Sequence, residues 1–381
     1  MPRDDKLSKW MLGLVFLMFI GGLLVLNTGA PTREFSESEN RMLEQLPSFS
    51  LEKGMNGTFT AHFEKYLSDQ FVFRDFWIGV KSEADRLMGK KESNGVYVGK
   101  DGFLIQKFGK PEDGDLEEKA EAINGFAKSL PGLHTYMMLV PTAASVLEEK
   151  LPAHVTGDEE RTYMEKVKEA LSKDIAFVDV YPALRSKKEE YLYYKTDHHW
   201  TTRGAYYAYQ ELGKQMGFTP RMQADFRIER ATDDFYGSLF SKSGFRHVLP
   251  DSIDLYLPKD DEAYSVEYAS EKRSTYSLYE RENLKKKDKY TVFLNGNHPL
   301  IKITTGSGDG KKLVVVKDSY ANCFLPFLTA HFEEIYVVDL RYYEDRLDEL
   351  IQENHITDVL LLYNVNTFLE DPSIKELASQ R

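Results

Sequence analysis

The sequence predicts an α/β fold: a sandwich of helices around a sheet with parallel strands, with a β-rich insertion and one N-terminal transmembrane helix. Apolar runs of strand length alternate with segments of helical periodicity on either side of residues 221–310, as in parallel sheets joined by helices. Residues 221–310 break this rhythm with short alternating pieces such as IDLYL and YSVEYA. Near the N-terminus, residues 10–26 form an uncharged run of 17 residues.

The composition excludes several classes of protein. The chain has 381 residues, of which 42% are hydrophobic and 29% charged, so it can form a packed core and is neither disordered nor a polytopic membrane protein. The net charge is −12 and no basic stripe is interleaved with aromatic residues, so nucleic acid is not an expected partner. A single cysteine, Cys323, excludes an intramolecular disulfide and a zinc site built on cysteines.

The N-terminal apolar run predicts a membrane anchor. Arg3, Lys6 and Lys9 precede it, which by the positive-inside rule keeps the N-terminus in the cytoplasm and the rest of the chain outside. A cleaved signal peptide is the alternative, since residues 28–30 (Thr-Gly-Ala) are small. The run is longer than a usual signal core, which favours an uncleaved anchor.

After the anchor, residues 31–55 are polar and turn-rich, and residues 58–90 carry apolar side chains at helical spacing. A turn at Lys100, Asp101 and Gly102 between two apolar runs predicts a hairpin. The expected organisation is a cytoplasmic stub and anchor (1–30), a linker with an amphipathic helical lead segment (31–95), and a main domain (96–381) in which 221–310 form the insertion.

Within the main domain, the same patterns predict the remaining strands and helices. The predicted strands are 134–141, 175–180, 313–316, 335–340 and 358–364, and the predicted helices are 116–130, 163–171, 203–216, 324–331 and 345–354.

The first chemical motif is Asp197-His198-His199-Trp200, just before a predicted helix that Thr201 or Thr202 caps. A carboxylate two residues before an imidazole can accept its hydrogen bond, fix its tautomer and leave the other nitrogen as a base. His199 is favoured as that base. The other histidine, His198, is adjacent to Asp197 and could make the same hydrogen bond only with strain. The other histidine is expected to be structural.

The second motif is Lys317-Asp318-Ser319 at the end of a short buried strand, with a helix expected soon after. A serine on a strand-to-helix turn is exposed, and its own backbone N–H can face a developing oxyanion. Asn364 and Asn366 end the last strand, where an amide could complete the oxyanion hole. Each motif alone is weak, since most such serines lie in ordinary turns; the two together, at strand ends, favour an active site.

At these motifs the sequence resembles the DHHW family of bacterial envelope proteins, which is related to the alginate O-acetyltransferases and the SGNH hydrolase-like superfamily. The resemblance runs from about residue 33 to the C-terminus and includes the following segments: FEKYLSDQFVFRD, VYVGKDGFL, LVPTAASVLEEKLP, DHHW with TTRGAYYAY, FYGSLFSKSGF, FLNGNHP, KDSYANCFLPFL and VVDLRYY.

The resemblance implies an SGNH-like three-layer α/β/α fold outside the cell and a catalytic group of Ser319, His199 and Asp197. Related enzymes move acetyl groups onto extracellular polysaccharides, often beside a multipass membrane O-acyltransferase that supplies the acyl group. One departure is that Lys317 stands where the superfamily usually has glycine, which constrains the backbone before the serine.

The expected activity is therefore acyl transfer, with acetyl as the group that the resemblance implies, to a cell-envelope or exported polysaccharide through an acyl-serine, without a cofactor or metal. The Ser319 N–H and Asn364 are expected to stabilise the oxyanion, and Tyr320, Arg341 and Trp200 to contact the substrate.

Three alternatives stay open at this point. The same residues would serve a polysaccharide acetyl esterase with water as acceptor. Asp-His-His also occurs in manganese sites, so a metal-dependent phosphoesterase is a second alternative, although His134 and His154 lack a carboxylate cluster around them. The third is a non-catalytic envelope module that binds polysaccharide or the acyltransferase.

Overall fold

The computed structural model describes residues 3–36, 41–109, 111–112, 114–260, 263–307 and 310–379. Residues 37–40 of the expected linker, and 261–262 and 308–309 of the expected insertion, lie outside the described residues. The chain divides into two compact units. One comprises Met1–Lys90 with Gly244–Arg246, and the other comprises Lys91–Ser243 with His247–Arg381.

The first unit holds the N-terminal apolar helix and the lead segment. Its elements are α1 (Arg3–Gly29), β1 (Phe35–Ser36), β2 (Arg41–Met42), α2 (Leu51–Met55), α3 (Thr58–Asp69) and α4 (Arg74–Leu87). In α1, Ser8–Gly29 has a mean hydropathy of 2.2 and no buried part, and it is long and apolar enough to cross a membrane. The lead segment is helical, as its periodicity predicts.

The expected linker is more ordered than its polar composition suggests. Strands β1 and β2 pair antiparallel, and the buried Asp69 carboxylate accepts hydrogen bonds from Arg41 Nη1 and Nη2 at 2.9 and 2.5 Å. Asp69 also accepts from the Glu44 N–H at 2.9 Å. One carboxylate at the end of α3 therefore fixes the chain that precedes it.

The second unit contains the large sheet and the helices that cover it. Its strands are β3 (Glu92–Ser93), β4 (Val96–Val98), β5 (Leu104–Gln106), β6 (His134–Val140), β7 (Ile175–Phe177), β8 (Phe226–Phe235), β9 (Asp251–Pro258), β10 (Tyr264–Tyr268), β11 (Arg273–Thr275), β12 (Leu300–Thr305), β13 (Lys312–Lys317), β14 (Glu334–Val338) and β15 (Asp358–Asn364). Its helices are α5 (Asp115–Ser129), α6 (Ala143–Val146), α7 (Asp158–Ala170), α8 (Tyr181–Ser186), α9 (Thr202–Met216), α10 (Ser238–Ser243), α11 (Leu347–Glu353) and α12 (Val365–Glu370).

Within the described residues, the large sheet has eight strands in the order β11-β10-β12-β14-β13-β15-β6-β7. From β14 to β7 neighbouring strands are parallel, and β13 lies between β14 and β15. Strands β12, β10 and β11 continue the sheet antiparallel. The parallel strands end at one common edge, which is where open α/β sheets place ligands.

Apolar side chains point alternately to the two faces of the sheet along the central strands, which explains why both faces are covered. In β13, Leu313 and Val315 belong to one core, and Val314 and Val316 belong to the other. Helices α5, α7, α11 and α12 contribute to the core shared with Val314, while α6, α8 and α9 contribute to the other. The fold is the predicted mixed α/β sandwich, because strands buried on both faces need a layer on each side.

The region 221–310 is β-rich, as its sequence predicts, but it is not a separate lid. Strands β8 and β9 form their own antiparallel pair, whereas β10, β11 and β12 are part of the large sheet. In β12, buried residues such as Ile301 and Ile303 alternate with partly exposed ones. This alternation is expected of a strand that packs only one of its faces on the core.

One predicted helix is absent from the described residues. The helix expected soon after Ser319, over 324–331, is replaced by short 3₁₀ turns at Ser319–Cys323 and Leu325–Phe327. Pro326 explains why one α-helix does not run through both turns, because its ring would clash with the carbonyl of Asn322 and it has no N–H to donate to that carbonyl. The chain after Ser319 therefore stays tightly coiled and buried.

The central position of β15 in the sheet predicts that a truncated side chain in this strand lowers the stability of the fold. Leu360 is fully buried in the sheet, so Leu360→Ala should lower the free energy of unfolding by about 2–5 kcal/mol, measured by urea denaturation. The control is Leu249→Ala, since that side chain is 82% exposed and should cost less than about 0.5 kcal/mol. Equal losses in the two variants would contradict the buried position of β15.

Candidate active site

An acid, an imidazole and a hydroxyl meet at the carboxyl edge of the large sheet. His199 Nδ1 lies 2.5 Å from Asp197 Oδ1, and His199 Nε2 lies 2.7 Å from Ser319 Oγ. A carboxylate can only accept, so Nδ1 donates to Asp197, and Nε2 is left to accept from the Ser319 hydroxyl. The structure thus brings together the three residues that the sequence singled out for catalysis.

Asp197 is held in place from two sides. Its Oδ1 also accepts from the His199 N–H at 2.9 Å, and its Oδ2 accepts from the Ser238 N–H at 2.7 Å. Burial raises the pKa of this carboxyl, but the electrostatic interactions with the His199 and His198 imidazoles and the hydrogen bonds outweigh burial, and the pKa of Asp197 is lowered. The group therefore stays ionised beside the imidazole.

A second buried carboxylate fixes the start of the turn that carries Asp197. Asp251 Oδ2 accepts from the Thr196 N–H at 2.7 Å and from Thr196 Oγ1 at 2.6 Å, and its Oδ1 accepts from the Lys195 N–H at 2.8 Å. Burial raises the pKa of Asp251. Sequence reasoning missed this residue, because nothing local in the sequence links it to a turn 55 residues earlier.

The end of the same turn is fixed by the helix that follows it. Thr201 caps α9, its side chain accepting from the Gly204 N–H at 3.3 Å, as the sequence predicts. Trp200 Nε1 donates to the carbonyl of Tyr320 at 2.9 Å, and the Tyr320 hydroxyl donates to the carbonyl of His198 at 2.5 Å. These two bonds join the histidine turn directly to the serine turn.

Tyr290 is a further site residue that sequence reasoning missed. Its ring stacks on the His199 imidazole, with centroids 3.7 Å apart and planes inclined by 11°. Its hydroxyl donates to the carbonyl of Ser319 at 3.1 Å. Tyr290 is buried, so it limits the tilt of the imidazole while holding the backbone of the serine. It lies shortly before FLNGNHP, and that motif was the available signal.

Asp318 organises the turn that carries Ser319. Its Oδ1 accepts from the Tyr320 N–H at 2.9 Å, and its Oδ2 accepts from the Asn364 N–H at 2.8 Å. Burial raises the pKa of Asp318. The aspartate before the serine is therefore a structural cap that ties β13 to β15, and it leaves the serine side chain free to face His199.

Lys317 is accommodated before the serine turn without distorting the backbone. It ends β13 as a strand residue and does not have a positive φ, so a side chain is tolerated there. Cys323 is fully buried, and burial raises the pKa of its thiol to about 12. It is therefore not a competing nucleophile at neutral pH.

The expectation for Asn364 needs correction. Its Nδ2 donates to Asp318 Oδ2 at 2.5 Å and to Thr367 Oγ1 at 2.6 Å, and its Oδ1 accepts from the Thr367 N–H at 3.0 Å. Both amide protons are used, and the side chain is buried. Asn364 has no proton to offer an oxyanion, because it caps α12 instead. The neighbouring Asn366 is also buried, but its Nδ2 and Oδ1 have no hydrogen-bond partner among the described residues.

Two of the expected substrate contacts are also corrected. Trp200 and Tyr320 are almost fully buried, and their polar groups bond to the backbone, so neither can offer a ring to a sugar. Arg341 is different, because 29% of its side chain is exposed. Its guanidinium makes two bonds to Asp339, at 2.8 and 2.6 Å, and its remaining surface faces outward beyond β14.

His198 contacts a different serine from the one that His199 contacts. Its Nδ1 lies 2.6 Å from Ser238 Oγ, and burial together with the electrostatic effect of the neighbouring His199 lowers its pKa to about 4. Asp197, His198 and His199 each offer one ligand atom, and these atoms lie within 4.8 Å of one another. The set is small for a metal site, and its Asp197 and His199 atoms already bond to each other.

Gly237 lies against Asp197 so closely that no other residue fits. A Cβ at this position would come within 2.2 Å of Asp197 Cβ and 2.3 Å of its Oδ2. The N–H of the next residue, Ser238, is the donor to that oxygen. The segment FYGSLF therefore supplies the contact that orients the acid, and sequence reasoning did not give it this role.

Gly237→Ala should displace Asp197 and lower both stability and any activity that needs His199. We expect a loss of about 1–3 kcal/mol in the free energy of unfolding, as for overpacked sites. Urea denaturation measures it. Gly306→Ala is the matched control, because a Cβ there meets nothing within 4 Å. A Gly237→Ala variant as stable as this control would contradict the close contact.

The lowered pKa of His198 predicts a pH effect on stability. The unfolded chain takes up a proton near pH 6.5, whereas the folded chain does so only near pH 4. Stability is therefore lost as the pH falls through this interval. Between pH 7 and pH 4.5, the free energy of unfolding of His198→Asn should fall by about 2 kcal/mol less than that of the wild type, as measured by urea denaturation. An unchanged slope in His198→Asn would contradict the assignment.

Comparison with solved structures found several proteins to which this chain is similar. A DHHW family protein from Eubacterium siraeum is 26% identical, with a TM-score of 0.65, over 76% of this chain and 96% of that one. Bacillus cereus PatB1 with a sulfonyl adduct is 20% identical, with a TM-score of 0.60, over 72% of this chain and 97% of that one. The O-acetyltransferase domain of Pseudomonas putida AlgJ is 18% identical, with a TM-score of 0.46, over 75% of this chain and 99% of that one.

The sequence comparison identifies the family. No curated protein matches the chain, but the family model described as DHHW protein matches residues 96–338. This span includes the histidine turn, the loop that carries Tyr290, and the serine turn, so the resemblance predicted from the motifs is confirmed. The chain belongs to the DHHW family.

Proposed function

We propose that this protein is a serine-dependent O-acyltransferase that moves an acyl group, in our proposal acetyl, onto a cell-envelope or exported polysaccharide. The observation that carries the proposal is the line of hydrogen bonds from Asp197 through His199 to Ser319, at 2.5 and 2.7 Å. An ionised acid, an oriented imidazole and a hydroxyl in this order are the parts of a serine nucleophile.

In the first half of the proposed reaction, Ser319 Oγ attacks the acyl carbon of the donor. His199 Nε2 takes the hydroxyl proton, and Asp197 stabilises the imidazolium that results. When the tetrahedral intermediate collapses, the bond from the acyl carbon to the donor oxygen breaks, and His199 gives its proton to that oxygen. The products of this half are an acyl-serine and the free donor alcohol.

In the second half, a sugar hydroxyl replaces the donor alcohol. His199 Nε2 takes the proton of the sugar hydroxyl while its oxygen attacks the acyl carbon. The bond from that carbon to Ser319 Oγ then breaks, and the proton returns to Ser319. The sugar leaves as its ester, and the enzyme is restored. If water takes the place of the sugar, the same steps make an esterase.

The location and partners are part of the proposal. The apolar helix Ser8–Gly29 would anchor the chain, with its N-terminus in the cytoplasm and the second unit outside the cell. The acyl donor would then reach Ser319 on the outer side, and a multipass membrane O-acyltransferase is the kind of partner that supplies it. Arg341, partly exposed beyond β14, is the proposed contact for an acidic group of the acceptor.

The proposed nucleophile is tested with the purified full-length protein in detergent and p-nitrophenyl acetate. We expect a burst of p-nitrophenolate equal to the enzyme concentration, because the acyl-serine forms before it is discharged. Ser319→Ala should abolish the burst, and Ser274→Ala, at an exposed strand position, should keep it. Equal traces for Ser319→Ala and the wild type would contradict the proposal and favour a binding module.

Two additions to the same assay separate the remaining alternatives. An oligosaccharide acceptor should gain an acetyl ester, detected by mass spectrometry, if the protein is a transferase; free acetate alone would favour an esterase. Treatment with EDTA should leave the burst unchanged, because no step of the proposed reaction uses a metal. A burst lost with EDTA and restored by manganese would favour a metal-dependent enzyme.

A further inference from the structure

Helix α4 of the lead segment exposes large apolar side chains on one face. With the residues that flank the helix, they form the apolar stripe of α4, which consists of Phe73 (62% exposed), Phe76 (61%), Val80 (45%), Leu87 (88%) and Met88 (73%). Their spacing places them over about 120° of the helix circumference. An amphipathic helix normally turns such a face toward the core. In α4 the face stays exposed, which marks it as an interaction surface.

The opposite face of α4 is already occupied within the same unit. A Cβ on Gly244 would come within 2.8 Å of Ser82 Oγ and 3.0 Å of Ile78 Cγ2, so this glycine lies directly against the helix. Ser82 is buried, and Asp75 pairs with Arg33 at 3.2 Å. Because the protein fixes this face, the apolar stripe is presented in a defined direction.

The stripe begins beside the apolar helix α1. The Phe19 ring lies edge-on to the Trp77 indole, with centroids 6.4 Å apart, and Trp77 contacts the Phe76 ring at 5.2 Å. Asn27 Oδ1 accepts from the Val72 N–H at 2.9 Å. Helix α1 therefore touches the chain around the start of α4 at two points, and Phe76 is one ring away from Phe19.

The position of Phe19 in α1 sets the depth of these rings. Phe19 precedes Leu26, the last residue of the uncharged run, by about 10 Å along the helix axis. In the proposed location α1 crosses the membrane with this end outside, so a side chain that contacts Phe19 lies in the outer half of the apolar layer. Interfacial helices bury their apolar face to a depth of about 5–10 Å.

The edges of the stripe carry side chains that suit a membrane surface. Lys81 is exposed at one edge, and Glu83, which pairs with Arg86 at 3.7 Å, lies at the other. A lysine at such an edge can lay its stem along the apolar surface and place its ammonium among lipid phosphates. Tryptophan, here Trp77, is enriched at membrane–water interfaces.

We propose that α4 is an interfacial helix, which lies on the outer surface of the membrane with its apolar stripe buried among phospholipid acyl chains. Helix α1 holds the chain across the membrane, and α4 fixes how the lead segment lies on it. The inference rests on the proposed location of the chain, in which α1 is the anchor.

Spin labels test the depth of the stripe. The full-length variants Val80→Cys, Arg86→Cys and Leu14→Cys are labelled with a nitroxide and placed, one copy per disc, in nanodiscs of phosphatidylcholine and phosphatidylglycerol. Cys323 is fully buried, so the label attaches to the introduced thiol. Power-saturation EPR then compares the access of oxygen, which concentrates in lipid, with that of a water-soluble nickel chelate. Each variant should keep the wild-type midpoint of urea denaturation.

The ratio of oxygen to nickel access should be several-fold higher at Val80→Cys than at Arg86→Cys. Arg86 is the matched control, because it is exposed on the same helix but lies outside the stripe. Nickel access at Val80→Cys, with Leu14→Cys in lipid, would overturn the inference and leave the anchor intact. A label at Val80→Cys that neither reagent reaches would place the stripe against protein, and would overturn it too. Nickel access at Leu14→Cys would instead overturn the proposed location, and the inference with it.

Leu87→Cys extends the test to the far end of α4. Leu87 lies about 15 Å along the helix axis from Trp77. A helix in the plane of the interface keeps both ends in lipid, so the ratio at Leu87→Cys should match that at Val80→Cys and exceed that at the adjacent Arg86→Cys. Nickel access at Leu87→Cys would show that α4 rises out of the membrane, and would overturn its assignment as an interfacial helix.

Discussion

The hydrogen bond between His199 Nε2 and Ser319 Oγ is the interaction on which the site depends. It joins segments that are 120 residues apart in the chain. An imidazole can take the proton of a hydroxyl only when the two groups lie within hydrogen-bond distance. The bond is not left to two side chains alone. The Trp200 indole and the Tyr320 hydroxyl each bond to the backbone of the other turn, so the two turns are fixed to each other on both sides.

Buried carboxylates position the parts of this junction. Asp251 fixes the start of the histidine turn, Asp318 fixes the serine turn to β15, and Asp339 pairs with Arg341 next to Lys317. Each is buried and satisfied by donors, as buried charge requires. The surroundings of the site are therefore rigid and preorganised. Such a setting suits chemistry in which donors must already be in place when charge develops.

The sequence predicted the alternating α/β sandwich and the meeting of Asp197, His199 and Ser319, because periodicity and strand-end motifs are local patterns. It did not predict the role of Tyr290, because that role depends on a contact between Tyr290 and the serine turn that no local pattern encodes. Burial also overturns the roles expected for Trp200, Tyr320 and Asn364. These side chains are packed inside the protein, so they are not available to a substrate or an oxyanion.

The most direct test is to find where the acyl group is carried. The full-length protein is mixed with an acetyl donor, quenched in acid within the burst, digested with trypsin and sequenced by tandem mass spectrometry. The account predicts an acetyl group on Ser319, within the peptide that begins at Asp318, and none in a sample carrying Asp197→Asn quenched at the same time. Acetyl on another residue, or a burst with no acetylated serine, would contradict it.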